Sequence, residues 1–294
     1  MAIKSIDPNT LSIAERHRYL LTAVAPRPIA FASTTDKAGN VNLSPFSFFN
    51  VFSSNPPVMI FSPARSGRDG SMKDTYNNVK EVPQVTINIV NYPMVEQMSL
   101  SSTPYPPEVN EFVKAGFTEV ASDLVAPPWV KEAPAAFECE VDQVIELGQE
   151  GAAGNLIISR VVRMHFNERY LDAEGQLDTK KLDLVGRLGN MWYCRANGEA
   201  LFEVPKPTRP MGMGVDQLPE AIRNSAILRG NDLGKLGHLA ELPDAAAVAA
   251  ARALPEVQSI LAEEEPREGL HRFARALLED GQVPEACAVL MIEK

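Results

Sequence analysis

Proline is spread over this 294-residue chain in a pattern that narrows its fold: fifteen of 23 prolines lie in residues 1–134, none in 135–204 and eight from Pro205 onward. Proline lacks the N–H that a ladder hydrogen bond needs, so the proline-free stretch is where interior strands can run. Within it, Phe137-Glu138-Cys139-Glu140-Val141-Asp142-Gln143-Val144 alternates with the two-residue period of a half-buried strand. Gly148 to Gly154 then turns the chain, and Leu156 to Phe166 returns as an apolar, β-branched run, completing a long hairpin.

The proline-rich first zone is also strand-dominated. Ile29 to Thr34 and Val41 to Ser44 flank Asp36-Lys37-Ala38-Gly39-Asn40, a hairpin signal. Val58 to Phe61 and Val85 to Val90 read as further strands, with a helix expected from about Met72 to Lys80 between them. From Pro205 the character changes to Ala, Leu and Glu, with Pro219, Pro243, Pro255, Pro266 and Pro284 punctuating short helical stretches; proline suits a helix's first turn. Leu270, Phe273, Leu277 and Leu278 recur at helical spacing and form one apolar stripe. The stripe is expected to pack on the chain's own barrel, with docking of a partner helix as the other reading. The expected class is mainly β with helical inserts (1–205) plus a small C-terminal helical extension (206–294).

Composition sets the function classes aside one by one. Hydrophobic residues at 45% and charged residues at 22% are ordinary globular usage. The formal charge of −10 disfavours nucleic acid as a partner. Residues 1–110 are nearly neutral, at +1, while 111–294 carry −11, so the first zone can still accept an anion. The longest uncharged run, Ala38 to Ala64, holds Pro45, Pro56, Pro57 and Pro63, which do not suit a membrane-spanning helix. The start Met1 to Pro8 has no apolar core of a secretory signal, and three scattered cysteines, Cys139, Cys194 and Cys287, suit a reducing compartment; the expectation is a cytoplasmic protein whose cysteines are packing residues.

Several site motifs fail. Gly212-Met213-Gly214 lacks the third glycine of a dinucleotide fingerprint, and Gly230-Asn231-Asp232-Leu233-Gly234-Lys235 is one residue short of a phosphate loop and reads as a turn between helices. His17, His165, His238 and His271 show no metal-ligand spacing, and no nucleophile elbow exists. What remains is concentrated in the first zone. In Arg65-Ser66-Gly67-Arg68-Asp69-Gly70-Ser71-Met72-Lys73-Asp74-Thr75, Ser71 with Asp74 can cap a helix whose first-turn N–H groups, with Lys73 and Arg65, would face a phosphate. A capped surface helix with a solvated charge cluster is the plainer alternative. The uncharged run Asn42 to Asn50 can set backbone N–H groups beside a flat, polar-edged ring, or can be an irregular core segment between strands.

The order of these pieces is more telling than any one of them. Arg27-Pro28-Ile29-Ala30, a hairpin, Asn42-Leu43-Ser44-Pro45-Phe46-Ser47, Asn55-Pro56-Pro57 before a strand, and Lys73-Asp74-Thr75 with Asn78 follow one another. Further on come Glu111-Phe112 with Ala115-Gly116-Phe117, then Phe137-Glu138-Cys139, and Arg187-Leu188-Gly189 before Tyr193. From about Leu20 to Pro205 the chain resembles the flavin reductase-like family of FMN-binding split β-barrels, the group that includes flavoredoxin. The resemblance implies a homodimer with FMN near the subunit interface. It implies that Ser33, Thr34, Ser44, Pro45, Phe46 and Ser47 line the isoalloxazine and ribityl chain, and that Ser62, Arg65, Lys73, Asp74, Thr75 and Asn78 form the phosphate end. Asn190, where relatives often have a second glycine, and Ser159-Arg160, where Gly-Glu is common, depart on the nicotinamide or substrate side.

A flavin carries hydride chemistry itself, so the protein need only bind it and orient a donor. The expected function is an NAD(P)H-dependent flavin reductase, with NADH or NADPH as donor, passing electrons through FMN to free flavin, a partner monooxygenase or another redox partner. The alternative is a non-catalytic FMN-binding electron carrier or partner-docking protein without its own NAD(P)H site; an FMN-free barrel is a third class. His165 is the one catalytic candidate, against a structural histidine. Tyr193 and Trp192 are candidates to cover a flavin or nicotinamide face, against a place in the core.

Overall fold

The computed structural model describes residues 2–206 and 211–292, and the chain divides into two compact units, Met1–Phe202 and Glu203–Lys294. After α1 (Ile13–Ala23), the first unit lays down β1 (Ala30–Thr35), β2 (Val41–Phe46), β3 (Phe49–Ser54), β4 (Pro57–Phe61), α2 (Asp74–Glu81) and β5 (Gln84–Ile89). Short elements follow: α3 (Val95–Leu100), α4 (Glu111–Ala115) and the paired β6 (Glu119–Val120) and β7 (Trp129–Val130). The long hairpin of β8 (Ala135–Glu146) and β9 (Asn155–Phe166) comes next, then α5 (Thr179–Leu182) and the small hairpin of β10 (Leu184–Arg187) and β11 (Tyr193–Ala196).

Seven strands form one antiparallel sheet in the order β2-β1-β5-β8-β9-β4-β3. Its two outermost strands, β2 and β3, are consecutive in the chain and joined only by Ser47 and Phe48. A flat sheet cannot satisfy that connection, so the sheet curls until its edges approach, which is the split-barrel architecture. The proline-free strands β8 and β9 sit in the interior of the order, whereas Pro45 falls on the edge strand β2, where a missing N–H is tolerated.

Both faces of β1 are covered, so all six of its residues are buried. Ala30, Ala32, Phe46, Phe61, Val85, Ile87, Cys139 and Ile157 pack together on one face. Phe31 and Leu43 pack on the other with Met94, Met98, Phe112, Phe117 and Val130. Asn88 and Thr86 on that outer face fasten the 122–130 segment: Val130 N–H donates to Asn88 Oδ1 at 2.8 Å and Thr86 Oγ1 to the Pro127 carbonyl at 2.8 Å.

The second unit holds α6 (Glu220–Arg223), α7 (Gly230–Gly237), α8 (Ala245–Arg252), α9 (Pro255–Leu261), α10 (Pro266–Glu279) and α11 (Val283–Leu290). Pro219 is the N-cap residue of α6, and Pro255, Pro266 and Pro284 occupy first-turn positions of α9, α10 and α11. Two expectations change here. The stripe on α10 packs within the helical unit itself: Leu270 and Leu278 are buried, with Phe273 and Leu277 beside them, in a core whose members all lie between Met213 and Ile292. The Gly230–Lys235 segment is not a turn but the body of α7, whose Asp232 carboxylate accepts the Arg229 N–H at 2.7 Å. Both misreadings come from local sequence being silent about which surface a stripe or a glycine meets.

A separate core predicts a separate response. Leu278→Ala is expected to cost about 2–5 kcal/mol and to lower amide-exchange protection in α10 and α11 while β8 and β9 keep theirs. Equal loss in β8 and β9 would contradict independent cores.

Candidate functional site

α2 packs on β1 and β2 through a polar face. Thr75 and Asn78 of α2, Thr34 of β1 and Asn42 of β2 are all buried. Asn42 Nδ2 donates to Thr75 Oγ1 at 2.9 Å and to Thr34 Oγ1 at 3.4 Å, and Asn78 Nδ2 donates to Thr34 Oγ1 at 3.2 Å. Because the amides are the donors, the hydrogens of both threonine hydroxyls remain available to a further acceptor. The network holds the start of α2 in place over the end of β1.

The start of α2 differs from its expected form. Ser71 does not cap the helix: its N–H and hydroxyl both donate to Asp69 Oδ1, at 3.1 and 2.7 Å, and its carbonyl accepts the Ser66 N–H. Hydroxyl groups of Ser66 and Ser71 hold the Asp69 carboxyl at about 2. The helix begins at Asp74, with Lys73 as N-cap residue and no side-chain cap. The Tyr76 N–H donates to the Lys73 carbonyl at 2.9 Å, so the Asp74 and Thr75 N–H groups are the ones left for an external acceptor, and exposed Lys73 forms no ion pair among the described residues.

Arg65 has a partner already. Its Nη2 donates to Glu146 Oε2 and Gln149 Oε1, each at 3.1 Å, and its backbone pairs with the 150–154 turn through Ala153 O and Ala152 N. Tyr76 of α2 donates to Glu146 Oε1 at 2.6 Å, which lowers the Glu146 carboxyl and raises the Tyr76 phenol. Beside this cluster, Asn155 Nδ2 donates to the Pro63 carbonyl at 2.8 Å. Ser62 Oγ is buried with no partner among the described residues, and a Cβ on Gly154 would lie 2.8 Å from it, so the glycine keeps that hydroxyl's surroundings open. Ser33 Oγ is likewise buried with no partner among the described residues.

Along β2, Ser44 stands opposite Ala32 and Pro45 opposite Phe31. Phe46 turns into the barrel core against Phe61, with ring centroids 5.6 Å apart, so its contribution to a ligand is limited to backbone. Pro45 and Ser47 border a cavity of about 180 Å³ with Ile29, Met98, Arg187 and Tyr193. Tyr193 lies under the Arg187 guanidinium at 4.5 Å, while Trp192 is exposed.

His165 belongs to a different cluster, on β9, separated from β1 by β5 and β8. Its Nε2 lies 2.6 Å from Glu138 Oε1 and its ring stacks on Trp129 at 5.0 Å. Buried Glu138 also accepts the Asp123 and Leu124 N–H groups at 2.7 Å each. Asp123, Glu138 and His165 bring ligand atoms within 4.8 Å of one another, a juxtaposition invisible in their spacing, but the Glu138 oxygens are already engaged in fastening the 122–130 segment. Glu111 and Asn42 are the residues whose place in the site sequence reasoning did not specify. Glu111, buried on α4, accepts the Leu43 N–H of edge strand β2 at 2.9 Å; its Glu111-Phe112 motif was visible in the sequence, but this contact was not.

Residues 23–181, wholly within the barrel unit, match the family model described as the flavin reductase like domain. A protein of Halalkalibacterium halodurans is 40% identical over 205 residues, 69% of this chain and 96% of the relative. A protein of Aquifex aeolicus is 34% identical over 202 residues, 69% of this chain and 98% of the relative. Among solved structures, nitrilotriacetate monooxygenase component B from Bacillus cereus is similar at a TM-score of 0.64 with 32% identity, covering 69% of this chain and 100% of that one. The 2-nitrobenzoate 2-nitroreductase NbaA of Pseudomonas fluorescens is similar at 0.61 with 26% identity, covering 74% and 100%.

Burial raises the Glu111 carboxyl above its ordinary value, the Asp74 charge adding to the effect and the Leu43 N–H partly offsetting it. A carboxyl raised in the folded state favours folding below its unfolded pKa, and that contribution is lost as pH rises through the folded value. Glu111→Gln keeps an acceptor for Leu43 but cannot ionise. It is expected to gain stability relative to the parent protein between about pH 4 and pH 7, read from denaturant midpoints. A difference constant across that range would show that the Glu111 charge carries no penalty.

Proposed function

The chain belongs to the flavin reductase-like domain family and is a flavin-related oxidoreductase; on that premise we propose that its barrel holds FMN and that the protein is an NAD(P)H-dependent flavin reductase. The observation that carries this reading is the buried Thr34–Asn42–Thr75–Asn78 network beneath the uncapped start of α2, with Lys73 exposed beside it. In this reading the backbone N–H groups of Asp74 and Thr75, the Thr75 hydroxyl and Lys73 hold the phosphate. The Asp74 carboxylate, close enough to raise Glu111, turns no charge of its own to help an anion. Asn78 acts by fixing Thr34, and Arg65 by fixing the turn at 150–154. Ser33, Thr34, Ser62 and the edge from Ser44 to Ser47 flank the ring and ribityl chain. Bound FMN would supply hydride acceptance and electron release; the protein supplies position, and no catalytic acid or base is assigned.

A homodimer fits the exposed apolar surface of the barrel unit. No residue of α1 is buried, Leu20 and Val24 on and beside it are 56% and 64% exposed, and Val51 and Phe52 on β3 are exposed too. Surface of that kind is ordinarily covered by a partner. A cytoplasmic setting agrees with three free cysteines. Residues 1–205 would carry the flavin chemistry, and 206–294 a separate role.

A second reading, an electron carrier without its own NAD(P)H site, draws on the helical unit. That unit has a groove of about 620 Å³ lined by Leu242, Ala247, Ala250, Leu254 and Ala288 and edged by Glu241, Asp244 and Glu285. The named relative that is a monooxygenase component also supports a redox partner for this chain. Anaerobic mixing with NADH and NADPH separates the readings. Bleaching of bound flavin by either donor is expected, and reduction only by a protein donor would favour the carrier.

The phosphate assignment is tested separately. Lys73→Ala with Thr75→Ala is expected to weaken FMN by about tenfold or more, from loss of charge-assisted hydrogen bonds, measured by fluorescence quenching of added FMN. Unchanged affinity would move the phosphate elsewhere.

A further inference from the structure

Two guanidinium groups lie near one another with no carboxylate paired to either among the described residues, and one of them, Arg187, lines a small cavity. Arg27 is buried, at 7% exposure, and spends its hydrogen bonds on neutral acceptors: Nη1 on the Leu21 and Val24 carbonyls, Nη2 on the Leu188 carbonyl at 3.0 Å and Nε on Ser47 Oγ at 3.5 Å. Arg187 pairs with Arg27 through both backbone N–H groups, at 3.0 and 2.8 Å. Its guanidinium lies over Tyr193, and Nη2 donates to the Asn190 carbonyl. Among the described residues neither arginine forms an ion pair within 4 Å. Burial, and then the neighbouring Arg187 charge, depress the Arg27 guanidinium below its ordinary value. A buried cation whose nearest charged neighbour is another cation is costly unless an anion completes the arrangement.

Arg187 opens onto a small cavity. It is bordered by Ile29, Pro45, Met98 and Tyr193, which are apolar or flat, by Ser47 and Arg187, and by the exposed Ser99 and Ser102. No Asp or Glu lines it. At about 180 Å³ it lies below the roughly 300–1,000 Å³ of pockets that enclose drug-sized ligands, so it suits a single ring rather than a whole dinucleotide. We propose that this cavity is a subsite for a small aromatic carboxylate, with Arg187 as the residue that binds the carboxylate and Tyr193 and Pro45 as the walls against its ring. The proposal rests on the flavin reading, because Pro45 and Ser47 are shared with the edge assigned to the flavin; it names the class of substrate that would be presented there. Arg187 is a binding residue, forked to meet both carboxylate oxygens, and Arg27 is a positioning residue that holds Ser47 and the Leu188 carbonyl in place.

The test uses the full-length protein, with and without added FMN, and three probes: benzoate, its neutral isostere benzamide, and inorganic phosphate, each titrated by calorimetry. Benzoate is expected to bind at least about tenfold more tightly than benzamide, the scale of a charge-assisted hydrogen bond. Arg187→Ala is expected to abolish that difference while leaving FMN affinity unchanged, and Arg187→Lys to restore part of it. Because the ladder from Arg187 to Tyr193 and Arg27 is made by backbone groups that the substitutions keep, the circular dichroism of both variants should match the parent protein. Benzoate affinity indifferent to Arg187, or phosphate binding in preference to benzoate, would overturn the assignment. Arginine-dependent benzoate binding in a protein that takes up no FMN would keep the subsite and remove the flavin reading.

Discussion

Ser47 and Phe48 alone carry the chain from one edge of a seven-stranded sheet to the other, and the shortness of that link governs much of the barrel unit. It obliges the sheet to curl, which encloses Phe46, Phe61 and the small residues Ala30 and Ala32 on one face. It also leaves β2 as an edge whose inner neighbours are the hydroxyl and amide groups of β1 and α2. The Arg27 guanidinium reaches this link at Ser47 and ties it to the end of α1 and to the Leu188 carbonyl. The edge that would meet a flat cofactor is thus held from behind by a buried cation and from one side by a buried carboxylate, Glu111 on Leu43.

Charge is distributed to match. The whole chain is acidic, yet the carboxylates nearest the candidate site are absorbed by structural tasks: Glu146 by Arg65 and Tyr76, Glu111 by Leu43, Asp69 by Ser66 and Ser71. Beside the Asp74 carboxylate, what is left unpaired among the described residues is positive: Lys73 next to an uncapped helix start, and the neighbouring Arg27 and Arg187, the latter lining the small cavity. In an acidic protein such local positive spots are where anionic groups are attracted, and two of them border the same strand edge from different elements. The pair of half-buried His165 and buried Glu138 follows the structural pattern instead. It joins β8, β9 and the 122–130 segment, and Trp129 shields it.

Strand positions were legible where periodicity or proline spoke locally. The hairpin of β8 and β9 and the strands β1, β4 and β5 fall where the sequence reading puts them, within a residue or two. β3 did not register, because Phe49–Ser54 follows directly on a run whose Ser, Pro and Asn content masks its extended conformation. α2 begins two residues later than read, because Ser71 prefers the nearby Asp69 carboxylate to the helix N–H groups. On α10 the apolar stripe was plain, but its burial partner was not, since a stripe states that something must cover it without stating what.

By itself the sequence determined a β-dominated first part, a helical end, and an ordered series of motifs around Arg27, Asn42–Ser47 and Lys73–Asn78 that points to a flavin. Those properties rest on short-range spacing, on proline's missing donor and on residue types carried in order along the chain. Only the tertiary structure decided that Thr34, Asn42, Thr75 and Asn78 share one hydrogen-bonded network, that Arg65 is neutralised by Glu146, and that Arg27 lies near Arg187, which lines a small cavity. The physical reason is that each of these depends on strands pairing across long chain separations and on a sheet curling upon itself. No local pattern records which distant side chain will arrive opposite a given donor or charge.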